Sequence, residues 1–415
     1  MEHLTASTSG LPFSGEDWFD PLEEAVRFHV RGFIEGLVEE ELAAALGGRA
    51  RYQRSGQAKS LSRTRSGGYR NGHRDRQLVG TFGPVTVSLP RARLHDEDGG
   101  EREWKSAHVP ANRRLTKRAE AVIAGAYLAG TNTRRVRRAL AGLFGGKVGK
   151  DAVSRAWRKV KSDWEAWQAR DLSGEDIVRL ILDGTGVKVR LDKRVTAIPL
   201  LVVIAVRRDG QKILLAVKHM GGETEAAWRV VLEDLLARGL RVPELVIVDG
   251  GKGLEAALAG LMPEVPVQRC TVHKERNLLA HAPKHLHDEI KADFTDMMYA
   301  ADAKAVHAKR RAFLVKWRLR CREVAVSLEE AGDWLFTFLR YPPEQWRSSR
   351  TTNAVERLHE EFKRRIKTQC ALPSAETAAM LFWALVASGQ ITMRRVDGWQ
   401  SLEQPPLDQP VDLAA

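Results

Sequence analysis

Three carboxylates stand out by the residues around them. Asp183 closes the apolar run IVRLIL and precedes Gly184, and Asp249 closes LVIV and precedes Gly250-Gly251. An acid at the carboxyl edge of a strand sits where open α/β sheets place their ligands, and a neighbouring glycine lets a ligand approach the backbone. The third, Glu356, lies in RTTNAVERLHEEFKRR, residues 350–365. There Val355, Leu358, Phe362 and Ile366 recur at helical spacing. Glu356 borders that apolar stripe, pointing toward the sheet, amid Arg357, Lys363, Arg364, Arg365 and Lys367. Converging bare carboxylates repel one another, and a divalent cation removes the conflict. Two cations about 4 Å apart can activate a water or hydroxyl and stabilise the leaving oxygen of a phosphodiester. Hard oxygen ligands favour Mg²⁺ or Mn²⁺ over zinc. The basic side chains around Glu356 would then hold the DNA.

Plainer readings compete. Either aspartate alone is an ordinary turn residue before glycine, and Asn353 with Glu356 is a passable capping box. Among rival acids, Asp192 and Asp209 fall in or near hairpin turns, Glu233 and Asp234 lie mid-helix, and Glu360 and Glu361 pair with nearby bases.

The elements between the acids weigh against coincidence. Residues 177–182, 197–206 and 213–217 read as strands, 224–240 as an amphipathic helix, 245–248 as a strand, 254–262 as a helix and 265–268 as a fifth strand. The order β-β-β-α-β-α-β is that of an RNase H-like fold. Its first and fourth strands are neighbours, so Asp183 and Asp249 converge. Its third carboxylate comes from a helix after the fifth strand, the place of Glu356. Residues 271–349 are helical in pattern and rich in Lys, Arg, His and Trp.

The chain has 415 residues, enough for two or three domains, and a net charge of +13 that favours a polyanionic partner, most simply DNA. No apolar run approaches a membrane span, and the start lacks a signal pattern, so a cytoplasmic, nucleoid-associated protein is expected. The three cysteines are widely separated and odd in number, which argues against a disulfide framework. Upstream, residues 22–46 read as a helix, 49–76 as a basic tract suited to DNA-backbone contact, and 81–89 as a hairpin or strand. Helices at 117–128, 134–144 and 150–170 follow. GTNTRRVRRAL resembles a helix-turn-helix, with Arg134, Arg135, Arg137 and Arg138 placed for phosphates or guanine edges. Tryptophans 157, 164 and 167 read as core. So do Trp317, Trp334 and Trp346, with Trp346 the one best placed to stack on a base.

Several motifs together resemble the Mutator-like transposases of bacterial insertion sequences: DGTGVKVR (183–190), GGETEAAW (221–228), LLARGLRVPELVIVDGGKGLEAAL (235–258), QRCTVHKERN (268–277) and RTTNAVERLHEEFKRR. YRNGHR, TFGPVTVSLPRAR and LAGTNTRRV also resemble the family. The resemblance implies a DDE transposase with Asp183, Asp249 and Glu356 as the triad that binds two Mg²⁺ or Mn²⁺ ions. It implies an α/β, RNase H-like core interrupted by an all-α insertion domain. Cys270 and His273 match the family's C-x-x-H motif, and Asn353 its polar residue before the glutamate. A zinc site completed by His281, His285 and His287 competes with packing beside the active site, or with a DNA contact by His273. The expected organisation is an N-terminal helical segment (1–48), a basic tract with short strands (49–115), a helix-turn-helix-like DNA-binding region (116–175), the first part of the core (176–270), the insertion (271–349), and the last part of the core with a tail (350–415). Expected partners are terminal inverted repeats, target DNA and a second copy of the chain in a dimer or larger synaptic assembly, with no membrane.

Overall fold

The computed structural model describes residues 21–47, 68–95, 100–109, 113–128, 136, 140–141, 143–144, 150–367, 371–404 and 406. The expected arginines Arg134, Arg135, Arg137 and Arg138, and the basic tract up to residue 67, lie outside them. The chain divides into two compact units, residues 1–159 and 160–415.

In the first unit, helix α1 (Pro21–Ala45) buries Val38 and Leu42. A three-stranded antiparallel sheet follows in the order β1 (Gly68–Gly80), β2 (Gly83–His95) and β3 (Glu101–Glu103). Leu78, Val85, Val87 and Leu89 from the hairpin pack with Val38. The end of the expected basic tract is therefore strand. Arg70 is committed to Glu39 of α1 at 2.6 Å, and His73 lies 2.9 Å from the same carboxylate. Helix α2 (Lys117–Leu128) packs Ala119 and Ile123 with Val79 and Leu115.

The second unit is built on a five-stranded sheet, ordered β6 (Lys212–His219), β5 (Arg194–Arg207), β4 (Ile177–Leu191), β7 (Leu245–Val248) and β8 (Val267–Arg269). The first three are antiparallel, whereas β4–β7 and β7–β8 are parallel. One expectation fails here, because β4 does not stop at Asp183-Gly184. It runs on to Leu191, paired with β5 along its length, and turns at Asp192-Lys193, both at positive φ. Val187 and Val189 are buried between the exposed Lys188 and Arg190, a two-residue alternation that sustains the strand. Asp183 thus lies mid-strand, where its other neighbour β7 gives out.

Helices α4 (Glu225–Ala237) and α5 (Lys252–Leu261) cover one face, packing Trp228, Val231, Leu232, Leu235, Leu254 and Leu258 on Leu180, Leu182, Val203, Leu215, Val246 and Val248. Thr224 caps α4 through Ala227 N. On the opposite face lie α11 (Asn353–Ile366), which buries Val355, Leu358 and Phe362, and α12 (Ala375–Ala387). Between them, Leu372 bridges to Val189 at the far end of β4. Trp164 and Trp167 of α3 (Lys150–Gln168) stack at 5.1 Å and meet Trp383 of α12, as core tryptophans do.

From α6 (Thr271–Ala280) to α10 (Pro343–Ser349) there is no strand. Helices α7 (His287–Met298), α8 (Ala303–Arg320) and α9 (Arg322–Glu330) lie between them. Ile290, Phe294, Met297, Trp317, Leu328 and Phe336 form a separate apolar core. Trp317 is fully buried and donates to Asp293 at 2.9 Å. Trp346, the tryptophan singled out for base stacking, is also buried, with its N–H on Tyr341 O at 2.8 Å and an edge contact to Phe338. Its ring is already occupied. No helix among the described residues is long and apolar enough to cross a membrane.

Candidate active site

Parallel pairing brings the two aspartates together. Ile181 pairs with Ile247, the last pair of that ladder, and Asp183 and Asp249 each follow two residues on, close enough that the Asp183 charge acts on Asp249. Asp183 is 7% exposed. Its Oδ1 accepts the Gly184 N–H at 2.9 Å, and its Oδ2 lies 3.4 Å from His359 Nδ1. Asp249 follows the last residue of β7, and its Oδ1 accepts the Gly251 N–H at 2.9 Å. Gly250 between them takes φ +99°, which a side chain would resist. Burial pushes the Asp249 carboxyl above the usual range. The Gly251 hydrogen bond opposes the shift, and the Asp183 charge adds to it.

Glu356, in the first turn of α11, is held from α6. Its Oε1 is 3.1 Å from Arg276 Nη1 and 3.3 Å from His273 Nε2. The helix cap is Thr352, not Asn353, and its side chain makes no capping bond, so no Asn353–Glu356 capping box forms. The entrance of α11 is tied instead to the end of β8. Cys270 Sγ accepts Thr352 N–H at 3.3 Å, Thr271 N donates to Arg350 O at 2.9 Å, and His273 Nδ1 lies 3.3 Å from Thr352 Oγ1. The C-x-x-H pair is thus a clasp. His281, His285 and His287 do not join it in a metal site, and no group of three potential ligands stands ready among the described residues.

His273 is pushed up to about 9, chiefly by its hydrogen bond to Cys270, with Glu356 and Asp183 adding and burial opposing. A raised folded value contributes stability that is complete below the ordinary value near 6.5 and lost as pH rises through about 9. In chelator, wild-type unfolding free energy is therefore expected to fall relative to His273→Gln between those limits. Parallel pH profiles in denaturant melts would refute this.

Two side chains that sequence reasoning passed over complete the neighbourhood. His359, one turn beyond Glu356 and 5% exposed, faces Asp183, and its Nε2 has no hydrogen-bond partner. Glu223, just before the α4 cap, is exposed as a residue, yet its carboxylate tucks over Gly184, where a Cβ would collide with it. Burial at that spot, then Asp249, then Asp183, push Glu223 above the usual range.

In a chain with 66 Lys and Arg, no Lys or Arg among the described residues lies within 4.0 Å of Asp183, Asp249 or Glu223. The donors are hard oxygens beside backbone without side chains. Among the described residues only histidines offset their charge, His359 beside Asp183 and His273 acting on both aspartates, and the two aspartates meanwhile accept from the amides of Gly184 and Gly251. That chemistry fits divalent cations of the Mg²⁺ class.

The expected DNA-contacting residues split. Asn353, Arg357 and Lys363 are exposed on α11. Arg364 and Arg365 are committed to Glu361, and Arg365 also donates to Gln390 O. Along this flank Lys212, Arg347, Arg350, Arg357, Arg394 and Arg395 line a groove of about 750 Å³. Burial pulls Lys212 below its usual value, with Asp397 opposing and Arg357 and Arg394 adding. Arg350 is structural: it stacks on Tyr299 at 3.9 Å and donates to Met298 O at 2.5 Å.

A sequence profile described as "Transposase, Mutator family" matches residues 16–393, and the chain belongs to that family. It is similar to the transposase for insertion sequence element ISRM5 of Rhizobium meliloti (strain 1021), 29% identical over 366 residues that span 88% of this chain and 87% of the relative. It is 30% identical over 273 residues to the transposase for IS6120 of Mycolicibacterium smegmatis (65% and 84% covered). It is 28% identical over 337 residues to the transposase for IS256 in transposon Tn4001 of Staphylococcus aureus (80% and 83% covered).

Proposed function

We infer that the chain is a DDE transposase that cuts DNA at the terminal inverted repeats of an insertion sequence and joins the freed ends to target DNA. Asp183, Asp249 and Glu356 are the triad, on an RNase H-like core with residues 271–349 as its all-α insertion. The observation that carries the reading is the parallel register of β4 and β7, which carries Asp183 and Asp249 to the point where β7 ends, with the α11 carboxylate bonded to the residues that follow β8. The strand order and the family membership support it.

Asp183, Asp249 and Glu356 would hold two Mg²⁺ or Mn²⁺ ions, which when bound supply the Lewis acidity for phosphodiester attack. The residues do the positioning. Arg357 and Lys363, exposed beside Glu356, hold backbone phosphates, and Asn353 opens the same helix. Arg276 must release Glu356 for that carboxylate to turn inward. In the first step a water oxygen bonds to phosphorus and the element's 3′ oxygen leaves as a hydroxyl. In the second, that hydroxyl bonds to a target phosphorus and the target's own 3′ oxygen leaves. No covalent protein–DNA bond forms, so catalysis rests on geometry and charge. The N-terminal region, with Arg134, Arg135, Arg137 and Arg138, binds the ends. Two ends imply a dimer or larger synaptic assembly, acting at the nucleoid.

The test incubates purified chain with DNA bearing the ends, Mg²⁺ and a target plasmid. Joined products support transposition. Cuts without joining indicate a nuclease, and a bound but uncut duplex indicates a regulator.

A further inference from the structure

Glu223 is placed by two glycines from distant parts of the chain. Gly184, next to Asp183, leaves the space its carboxylate fills. Gly253, in the first turn of α5 after Asp249, brings that helix onto the Glu223 backbone, where a Cβ would stand 2.8 Å from Glu225 N. The residue is wedged between the segments that carry both aspartates, and each wedge depends on a missing side chain. A glutamate before a helix cap can serve the helix dipole from solvent. This one folds back toward two other acids, and no Lys or Arg among the described residues lies within 4.0 Å to offset it. Glu356, by contrast, already has Arg276 and His273. His359 closes the far side of Asp183 as a buried side chain with an unpartnered Nε2. Asp183, Asp249 and Glu223 therefore carry negative charge that no Lys or Arg among the described residues pairs within 4.0 Å, and histidine partners fall to the two aspartates and not to Glu223.

We propose that Glu223 is a fourth carboxylate of the site, donating to the same divalent cations as Asp183 and Asp249. The inference rests on the reading of those aspartates as cation ligands. Glu223 is a hard oxygen donor on a short, exposed approach, so a cation reaches it before DNA covers the edge. In the cation-free chain these acids do not stand as a ready three-ligand set, and a bound cation would draw Glu223 in with the aspartates while Glu356 joins on leaving Arg276.

The test is Mn²⁺ binding to the full chain without DNA, read from the free-Mn²⁺ electron paramagnetic resonance signal, with melting temperatures taken in chelator and in Mn²⁺. Glu223→Gln is expected to weaken Mn²⁺ affinity tenfold or more, with the melting temperature in chelator unchanged or raised. Gly184→Ala is expected to weaken it as well. Its Cβ displaces the Glu223 carboxylate, and what yields is the free end of a flexible side chain, so the fold is kept. A change of less than threefold in Glu223→Gln while wild type binds Mn²⁺ overturns the inference and leaves the two aspartates as ligands. Lost binding with a large fall in the chelator melting temperature assigns Glu223 to the fold and also overturns it. Wild type that binds no Mn²⁺ overturns this inference together with the reading beneath it.

Discussion

Asp183→Asn is expected to lower end cleavage and joining by at least ~10³-fold, in line with the loss of a charged group that acts on the transition state. Binding of the element ends should stay within about twofold of wild type. Asparagine keeps the shape and can still accept the Gly184 N–H, so what is removed is charge. The same change should stabilise the cation-free protein. Asp249 has a folded value above its unfolded one, in part through Asp183. Such a group contributes stability that is complete below the unfolded value and lost as pH rises through the folded value. Above the folded value that stability is gone, and removing the neighbouring charge restores part. In chelator at pH 7, Asp183→Asn should melt roughly 1–3 °C above wild type, and the gain should fade as pH drops toward 4. Undiminished cleavage in this variant would remove Asp183 from the chemistry.

The second large effect is on the fold beneath the site. Trp228 is 2% exposed, at the centre of the layer that α4 and α5 make with the sheet. Trp228→Ala should cost about 3–5 kcal/mol through lost burial and an unfilled cavity. At roughly 2–4 °C per kcal/mol, melting should fall by about 6–20 °C. Because Glu223 immediately precedes Thr224, the cap of α4, Mn²⁺ affinity should weaken with it. A denaturant titration measures the first and the resonance signal the second. A loss below about 1 kcal/mol would mean that α4 is not anchored by this residue.

Much of this was legible in the residues. The runs that end in Asp183 and Asp249, and the alternation of strand and helix after them, are direct readings of apolar period. The amphipathic stripe of α11 is another, and it marked Glu356. The extension of β4 was obscured by Gly184 and Gly186, which punctuate a sequence as turns do, although Val187 and Val189 keep the alternation. Arg70, Arg74 and Arg76 hid β1 in the same way, since a strand rich in charged residues resembles a linker until partners such as Glu39 for Arg70 are seen. Glu223 had no local signal. It follows two glycines in a turn, and its importance rests on Gly184 and Gly253, which only the fold brings to it. His359 looked like one more polar residue on a helix. Glu361, by contrast, pairs with Arg364 and Arg365 at the helical spacing that predicted it.

The clasp between residues 270–273 and 350–352 has a topological result. The chain leaves the sheet at Cys270 and returns to it at Thr352 across a hydrogen-bonded seam, and the stretch between has a core of its own that is also tied to β8, where Gln268 bonds Leu335 O and Phe338 N and Val267 O accepts from Thr337. The entropy of closing a detour grows only with the logarithm of its length. Lengthening or shortening the loops between the helices of that stretch therefore costs little chain entropy, and so long as α6 and the residues bonded to β8 stay in place the third acid keeps its address.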